Sequence, residues 1–342
     1  MTGAGMTGPG TTGPDMTGGR ALEVLTMGRV GVDVYPRQVG LGLEDVATFG
    51  KYLGGSATNV AVAAARYGRR SAVVTRVGTD PFGRFVRRAL AGFGVSDAFV
   101  GDVAGLSTPV TFCEIFPPDH FPLYFYRHDA PDLQIRAAEL DLDAIRGAGV
   151  FWATVTGLCR EPSRTATLEA LAARGRAGIT VLDLDWRPMF WDSAEAARPW
   201  VRAALAHATV AVGNLEECEV AVGERDPAAA AAALRDLGVS LAVVKRGGDG
   251  VYAAGATAAG WEAVSVPPTP VDVVNGLGAG DAFGGALCHG LLGGWDLTRT
   301  LRFASAAGAI VASRLACADA MPTAAEVETH LSRTAQHLPG PR

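Results

Sequence analysis

The chain is 342 residues long, 49% hydrophobic and 19% charged, with a net charge of −5. That composition suits a folded globular protein with an ample core and excludes a disordered one. No block of Lys or Arg stands out, which argues against a nucleic-acid partner, and no run of about 18 apolar residues is present to span a membrane. Cys113, Cys159, Cys218, Cys288 and Cys317 are widely spaced without a C-x-x-C pair, which argues against a disulfide framework or structural zinc and points to a reducing cytoplasm.

Residues 1–20 form a Gly/Thr/Met/Pro repeat expected to be a disordered tail. A single domain is expected over 21–330, with a C-terminal tail over 331–342. Apolar runs of strand length fall at 30–35, 71–77, 149–154, 180–185, 209–212 and 241–245, separated by Ala/Leu-rich stretches. The spacing predicts a helix over 81–93: Phe82, Phe85, Val86, Ala89, Leu90 and Phe93 recur at helical intervals, Asp80 supplies the N-cap and Pro81 the first turn. Repeated βα units of this kind predict an α/β fold with a mainly parallel sheet covered by helices on both faces.

Two stretches break the rhythm. Residues 33–53 are extended and turn-rich, and 108–127 predict a hairpin turning at Pro117, Pro118 and Asp119. Val110, Phe112, Glu114 and Phe116 share one face of its first strand by the period of two. A carboxylate buried there without a partner would cost several kcal/mol, so Glu114 requires either water or a polar neighbour. Standing apart from the parallel sheet, the hairpin is placed to form a small β lid.

Two motifs carry chemistry. In NGLGAGDAFGGA (275–286) a Gly-rich turn runs into a helix expected to begin near Ala279. Gly278, Ala279 and Gly280 let main-chain N–H groups converge on an anion where the helix dipole adds positive potential. Asp281 follows in the first turn. Phosphoryl transfer needs this pairing of charge-stabilising donors with a carboxylate that deprotonates the acceptor hydroxyl. Taken alone, the run also fits an Asp that caps a turn. The second motif, Gly54, Gly55 and Asn59, permits close approach of a polyol, and alone equally fits a tight turn.

Together the motifs are specific. GGSATNVAVAAARYG (54–68) followed by VTRVGTDPFG (74–83) resembles the N-terminal signature of the ribokinase-like (pfkB) sugar kinases, and NGLGAGDAFGGAL (275–287) resembles their C-terminal one. The resemblance runs from about residue 22 to 325. It implies a three-layer α/β/α fold with a lid over about 33–53 and 106–130, and ATP and a sugar as reactants. On the matching positions it implies Asp281 as base and Gly278, Ala279 and Gly280 as anion hole. Asp33, Gly54, Gly55 and Asn59 then hold the acceptor, with Glu114 on the lid beside them. Asn214 and Glu217 match an N-x-x-E motif that positions Mg²⁺, usually through water, and the phosphates, with Asn214 counted in the ATP site. Lys245, Gly247 and Gly250, with Gly278 and Gly280, match the ATP site. A homodimer through the lid is the corresponding family expectation. Most relatives carry Asp-Thr-Thr before G-A-G-D, in a monovalent-cation site; Asn275, Gly276 and Leu277 stand here, so the resemblance does not carry potassium activation over.

The run from Asp183 to Trp191 resembles the D-x-N-x-R segment of keto-deoxy-sugar-acid kinases, with Asp185 replacing Asn. It would place Arg187 against an anionic substrate or the transferring phosphoryl group, and Arg127 on the lid would add a second positive contact. Guanidinium groups bind carboxylates bidentately, so two of them favour a sugar acid over ribose or adenosine. CEIFPPDHFPLYFYR (113–127), in lid territory, resembles the same group of kinases. A kinase of neutral ketohexoses remains an alternative, as does a catalytically silent sugar-binding regulator.

Overall fold

The computed structural model describes residues 21–258 and 260–337. The expected N-terminal tail, and residues 338–342 of the C-terminal one, lie outside the described residues. The chain opens with β1 (Val24–Met27), β2 (Gly31–Pro36), β3 (Phe49–Gly54), α1 (Ser56–Arg66), β4 (Ser71–Gly78) and α2 (Pro81–Gly92). Next come β5 (Val95–Ser96), β6 (Val100–Val103), β7 (Val110–Cys113), β8 (Leu123–Tyr126), α3 (Leu142–Gly147), β9 (Val150–Thr154), α4 (Ser163–Arg174) and β10 (Ile179–Asp183). The second half holds α5 (Ala194–Leu205), β11 (Val210–Asn214), α6 (Leu215–Val222), α7 (Pro227–Asp236), β12 (Leu241–Lys245), β13 (Val251–Thr257) and β14 (Gly260–Val266). It closes with α8 (Ala279–Leu292), α9 (Leu297–Ala312) and α10 (Ala324–His337).

The large sheet has the order β14-β13-β12-β11-β10-β9-β1-β4-β5, with β6 also paired to β4. Its pairings are parallel from β12 through β5, and β13 and β14 add an antiparallel edge. Successive strand residues point to opposite faces, so Val150 and Trp152 enter one core while Phe151 and Ala153 enter the other. The first core is roofed by α1, α2, α8, α9 and α10, the second by α3 to α7. These are the three α/β/α layers that the apolar strand runs predict, because a strand buried on both faces has no polar alternation.

Two expectations need correction. The first strand of the parallel sheet is Val24–Met27, whose four residues are all buried between β4 and β9; the run at 30–35 belongs to a second sheet. Helix α10 continues to His337, through residues expected to be tail. That second sheet, ordered β3-β2-β7-β8, gathers the stretches expected as lid. On its outer face Phe49 and Tyr126 each pack edge-on against Phe112. Glu114 finds polar partners, accepting the Leu43 N–H at 3.0 Å and the Tyr124 O–H at 2.9 Å. All five cysteines are buried and unpaired. Among the described residues no helix is long and apolar enough to cross a membrane.

Candidate active site

The C-terminal ends of β10, β11 and β12 carry Asp183, Asn214 and Lys245, and α8 starts beside them. Open α/β sheets bind ligands at this edge. The N-cap of α8 is Gly278, held at φ 81°, where a Cβ would stand 2.7 Å from the Cys317 Sγ. A side chain is excluded there by both backbone strain and contact. Beyond it the first amides of α8 lack carbonyls one turn back; Ala279 N–H reaches only the Gly276 carbonyl, at 3.5 Å.

Small residues then set the position of Asp281. Gly285 brings α8 so close to α1 that an added Cβ would lie 2.4 Å from the Ala63 methyl. The first turn of α1 is thereby pressed onto the first turn of α8. Ser56 Oγ donates to Asp281 Oδ1 at 2.9 Å and Asn59 Nδ2 donates to Oδ2 at 2.8 Å. Burial pushes the Asp281 carboxyl up to about 6, against the pull of the Asn59 hydrogen bond, with Asp185 adding to the rise. It is a carboxylate at neutral pH, and a stronger base than an exposed one.

Around it lies a dense set of charges. Burial disfavours the Lys245 ammonium, yet Glu217, Asp183, Asp281 and Asp185 together raise its pKa above the ordinary lysine value. Asp183, whose importance sequence reasoning missed, is pushed well up by burial and by Asp185, Glu217 and Asp281, with Lys245 opposing. Burial acts the same way on Asp185, but Arg187, Arg29 and Lys245 outweigh it and hold the carboxyl low. Arg187 Nη2 meets Asp185 Oδ1 at 2.8 Å. Asn214 and Glu217 cap α6 reciprocally: the Asn214 N–H donates to Glu217 Oε2 at 2.7 Å, and Asn214 Oδ1 accepts the Glu217 N–H at 2.9 Å. No three carboxylate, imidazole or thiol groups among the described residues converge as a direct metal-ligand set.

Behind Asp281 opens a cleft of about 560 Å³ bordered by Lys245, Gly247, Gly250, Ala279 and Gly280, with Pro118 overhanging from the hairpin loop. A Cβ on Gly280 would approach Lys245 Nζ to 3.3 Å, so the ammonium faces the helix start directly. Asn275 closes the preceding turn with both ends of its amide: Nδ2 donates to the Leu315 carbonyl at 2.7 Å, and Oδ1 accepts the Leu277 N–H at 3.0 Å.

The opposite wall comes from the second sheet. Asp33 projects from β2 beside Gly54 of β3, where a Cβ would fall 2.1 Å from Asp33 Oδ1; glycine is the residue that leaves room. Gly55 follows at φ 105°, with its own Cβ position 2.3 Å from the Arg29 carbonyl. Tyr35 O–H donates to Asp33 Oδ2 at 2.7 Å, and its oxygen lies 2.8 Å from Cys317 Sγ. Since the phenolic proton is given to Asp33, the Cys317 thiol is the donor to Tyr35. That thiol stays protonated, its pKa pushed far up by burial and by Asp33. A chain of hydrogen bonds thus joins Asp33 to the residue beneath Gly278.

Asp281, Gly278, Ala279, Gly280, Asn59, Lys245, Arg187 and Glu217 therefore gather at one end of the sheet, with Asp33 and Gly54 across from them. Arg127 is not brought there. Its Nε and Nη2 both donate to Asp132 Oδ2, and its guanidinium lies 4.6 Å above the Phe190 ring; the pair is buried on both sides. Glu114 is occupied in tying residue 43 and Tyr124 together. Sequence reasoning missed Ser56, although it lies inside the motif around Asn59, and Tyr35, which alternation places on the same face as Asp33. It also missed Arg29, for which no spacing signal existed.

Residues 21–324 match the pfkB family of carbohydrate kinases, and the chain belongs to that family. The 5-dehydro-2-deoxygluconokinase of Geobacillus kaustophilus strain HTA426 is 32% identical over 320 residues, covering 92% of this chain and 95% of the relative. Among solved structures, the PfkB protein from Polaromonas sp. JS666 superposes with a TM-score of 0.78 at 27% identity, over 90% of this chain and 99% of the other. A fructokinase double mutant from Vibrio cholerae O395, in fructose, ADP and potassium ion bound form, gives 0.80 at 25% identity over 91% and 99%.

Proposed function

We propose that this carbohydrate kinase transfers the γ-phosphoryl group of ATP to the 6-hydroxyl of 5-dehydro-2-deoxy-D-gluconate, a step of myo-inositol degradation. The observation that carries the reading is the Asp281 carboxylate, gripped by Ser56 and Asn59 at the head of α8 beside Lys245 and an open cleft. The nucleotide lies in that cleft with its phosphates toward Lys245 and the start of α8. The sugar lies between Asp281 and the second sheet, its hydroxyls held by Asp33 and Asn59. Asp281 takes the proton of the acceptor hydroxyl as the new O–P bond forms and the bond to the leaving ADP breaks. Amides of residues 278–280 and Lys245 hold the charge on the migrating group.

Four carboxylates, Asp183, Asp185, Glu217 and Asp281, act on Lys245, and an acidic surplus of this kind accommodates a divalent cation together with phosphate. Asn214 and Glu217 would hold Mg²⁺ there through water, and the ion would neutralise phosphate charge. Asn275 is neutral and fully engaged in its turn, so no monovalent-cation role is assigned to it.

The choice of a sugar acid is supported by the 32% identity to a 5-dehydro-2-deoxygluconokinase and by the positive charge of Arg187 beside the acceptor space. ADP release measured across this acid, 2-dehydro-3-deoxygluconate and fructose tests it; a preference for fructose would remove the acid reading. For the chemistry, Asp281→Asn is expected to lower kcat by about 10²- to 10⁴-fold while calorimetry still detects sugar binding. Unchanged turnover in that variant would refute the assignment. A wild-type protein that binds sugar without releasing ADP would instead be a regulator.

A further inference from the structure

Arg127, which lies away from the site, and Arg187, which lies within it, are both already paired. Asp132 occupies Arg127 and Asp185 occupies Arg187. Arg29, in the link between β1 and β2, differs from both. Like Arg127 it is 8% exposed, and like Arg187 its Nε is buried without a hydrogen-bond partner, but among the described residues no carboxylate closes on it to ion-pair distance as one does on the other two. Yet it stands among site residues. Asp33, Thr111 and Phe125 are register partners across β2, β7 and β8, so they share one face of the second sheet. The Arg29 guanidinium lies 5.0 Å from the centre of the Phe125 ring on that face. Burial raises the Asp33 carboxyl, and Arg29 is the foremost group opposing it; after Arg187, Arg29 is also the next group holding Asp185 low. The cation is thus suspended between two carboxylates and bonded to neither.

A guanidinium withdrawn from water with a buried donor unsatisfied is unfavourable unless something completes it. Its five N–H donors form a planar fork that matches a carboxylate, and the Phe125 ring beneath the guanidinium gives it a cation–π contact. We propose that Arg29 receives the carboxylate of the sugar-acid substrate and is the residue that sets acid-over-neutral specificity. The inference rests on the substrate reading above. It also gives the substrate a direction: the carboxylate and the 6-hydroxyl are opposite ends of the six-carbon chain, so the acid end is held at Arg29 while the reacting end meets Asp281.

The test compares the full-length wild type, Arg29→Gln and Arg29→Lys on 5-dehydro-2-deoxygluconate and on its uncharged C1 amide. Arg29→Gln is expected to lower kcat/KM for the acid by about 100-fold, chiefly through KM, while the amide changes by less than about threefold. Arg29→Lys keeps the charge without the fork, and should lose roughly tenfold on the acid alone. Acid and amide falling together would make Arg29 a structural residue and overturn the proposal, as would an unchanged acid preference in Arg29→Gln. Should Arg29→Gln fail to melt cooperatively, the acid-to-amide ratio of Arg29→Lys decides in the same way. A wild type with no preference for acids would defeat the substrate reading and this assignment together. A wild type that prefers them, with variants that keep the preference, defeats this assignment alone.

Discussion

The two walls of the cleft are built from different materials. On the α8 side the cleft is bordered by main-chain amides at a glycine-framed helix start, with the Asp281 and Lys245 side chains beside them, positioned by the close contact of α8 with α1. On the second-sheet side it is framed by side chains, Asp33 with Tyr35 behind it and Arg29 over Phe125, each held by another side chain. A wall made of backbone has few ways to vary, because any Cβ at Gly278 collides with Cys317. A wall made of side chains can be refitted one residue at a time. The contrast fits a division of labour in which the first wall does chemistry common to many substrates and the second chooses among them.

The strongest way to break this comparison is at Gly278. Gly278→Ala puts a methyl on Cys317 and forces a left-handed backbone on a residue that resists it, displacing the amides of residues 279 and 280. A fall in kcat of about 10²- to 10³-fold is expected, as for the loss of an anion-hole donor, with the sugar KM little changed. A rise in KM with kcat preserved would mean that this wall binds rather than catalyses.

A second test is acidity. In the proposed role Asp281 acts as the unprotonated carboxylate, so activity should be present above pH 6 and decline about tenfold per unit as pH falls below its raised pKa of about 6. The stability contribution of the same group has the opposite sign. A raised pKa in the fold favours the folded state below the ordinary carboxylate range, and that contribution is lost as pH rises through about 6. A kcat/KM profile flat down to pH 4.5 would dismiss Asp281 as the base. The smallest effect is expected at Tyr35. Tyr35→Phe leaves Asp33 Oδ2 without its buried donor, which costs about 1–3 kcal/mol, and should raise the sugar KM roughly tenfold with kcat nearly intact. A loss confined to kcat would show that the hydrogen-bond chain through Cys317 serves the anion hole instead of the acceptor.

The same contrast explains what could be read in advance. The apolar runs that became β4, β9, β10, β11 and β12 announced a sheet buried on both faces. The glycines and alanines of 275–286 announced the helix start, because only small residues satisfy that geometry. Strand β1 was harder: four residues, VLTM, are too few to show a period, and the longer run after it drew the reading toward what is in fact the second sheet. Arg127 and Arg29 show the deeper limit. Both are arginines next to apolar stretches, and nothing in the order of residues says that Asp132 neutralises the first while the second has no bonded counter-charge among the described residues. Which charges meet is a property of the folded chain.

The scarcity of lysine has a practical consequence. The 342 residues contain two, Lys51 and Lys245. Lys51 is exposed on the second sheet, its amine 4.0 Å from the centre of the Phe85 ring, and Lys245 lines the cleft. Amine-selective labelling of the folded protein therefore has just two side-chain targets, one on the outer face of the second sheet and one in the cleft. A fluorophore on Lys51 becomes a site-specific probe without any engineered cysteine, and shielding of Lys245 from the reagent becomes a direct footprint of whatever fills the cleft.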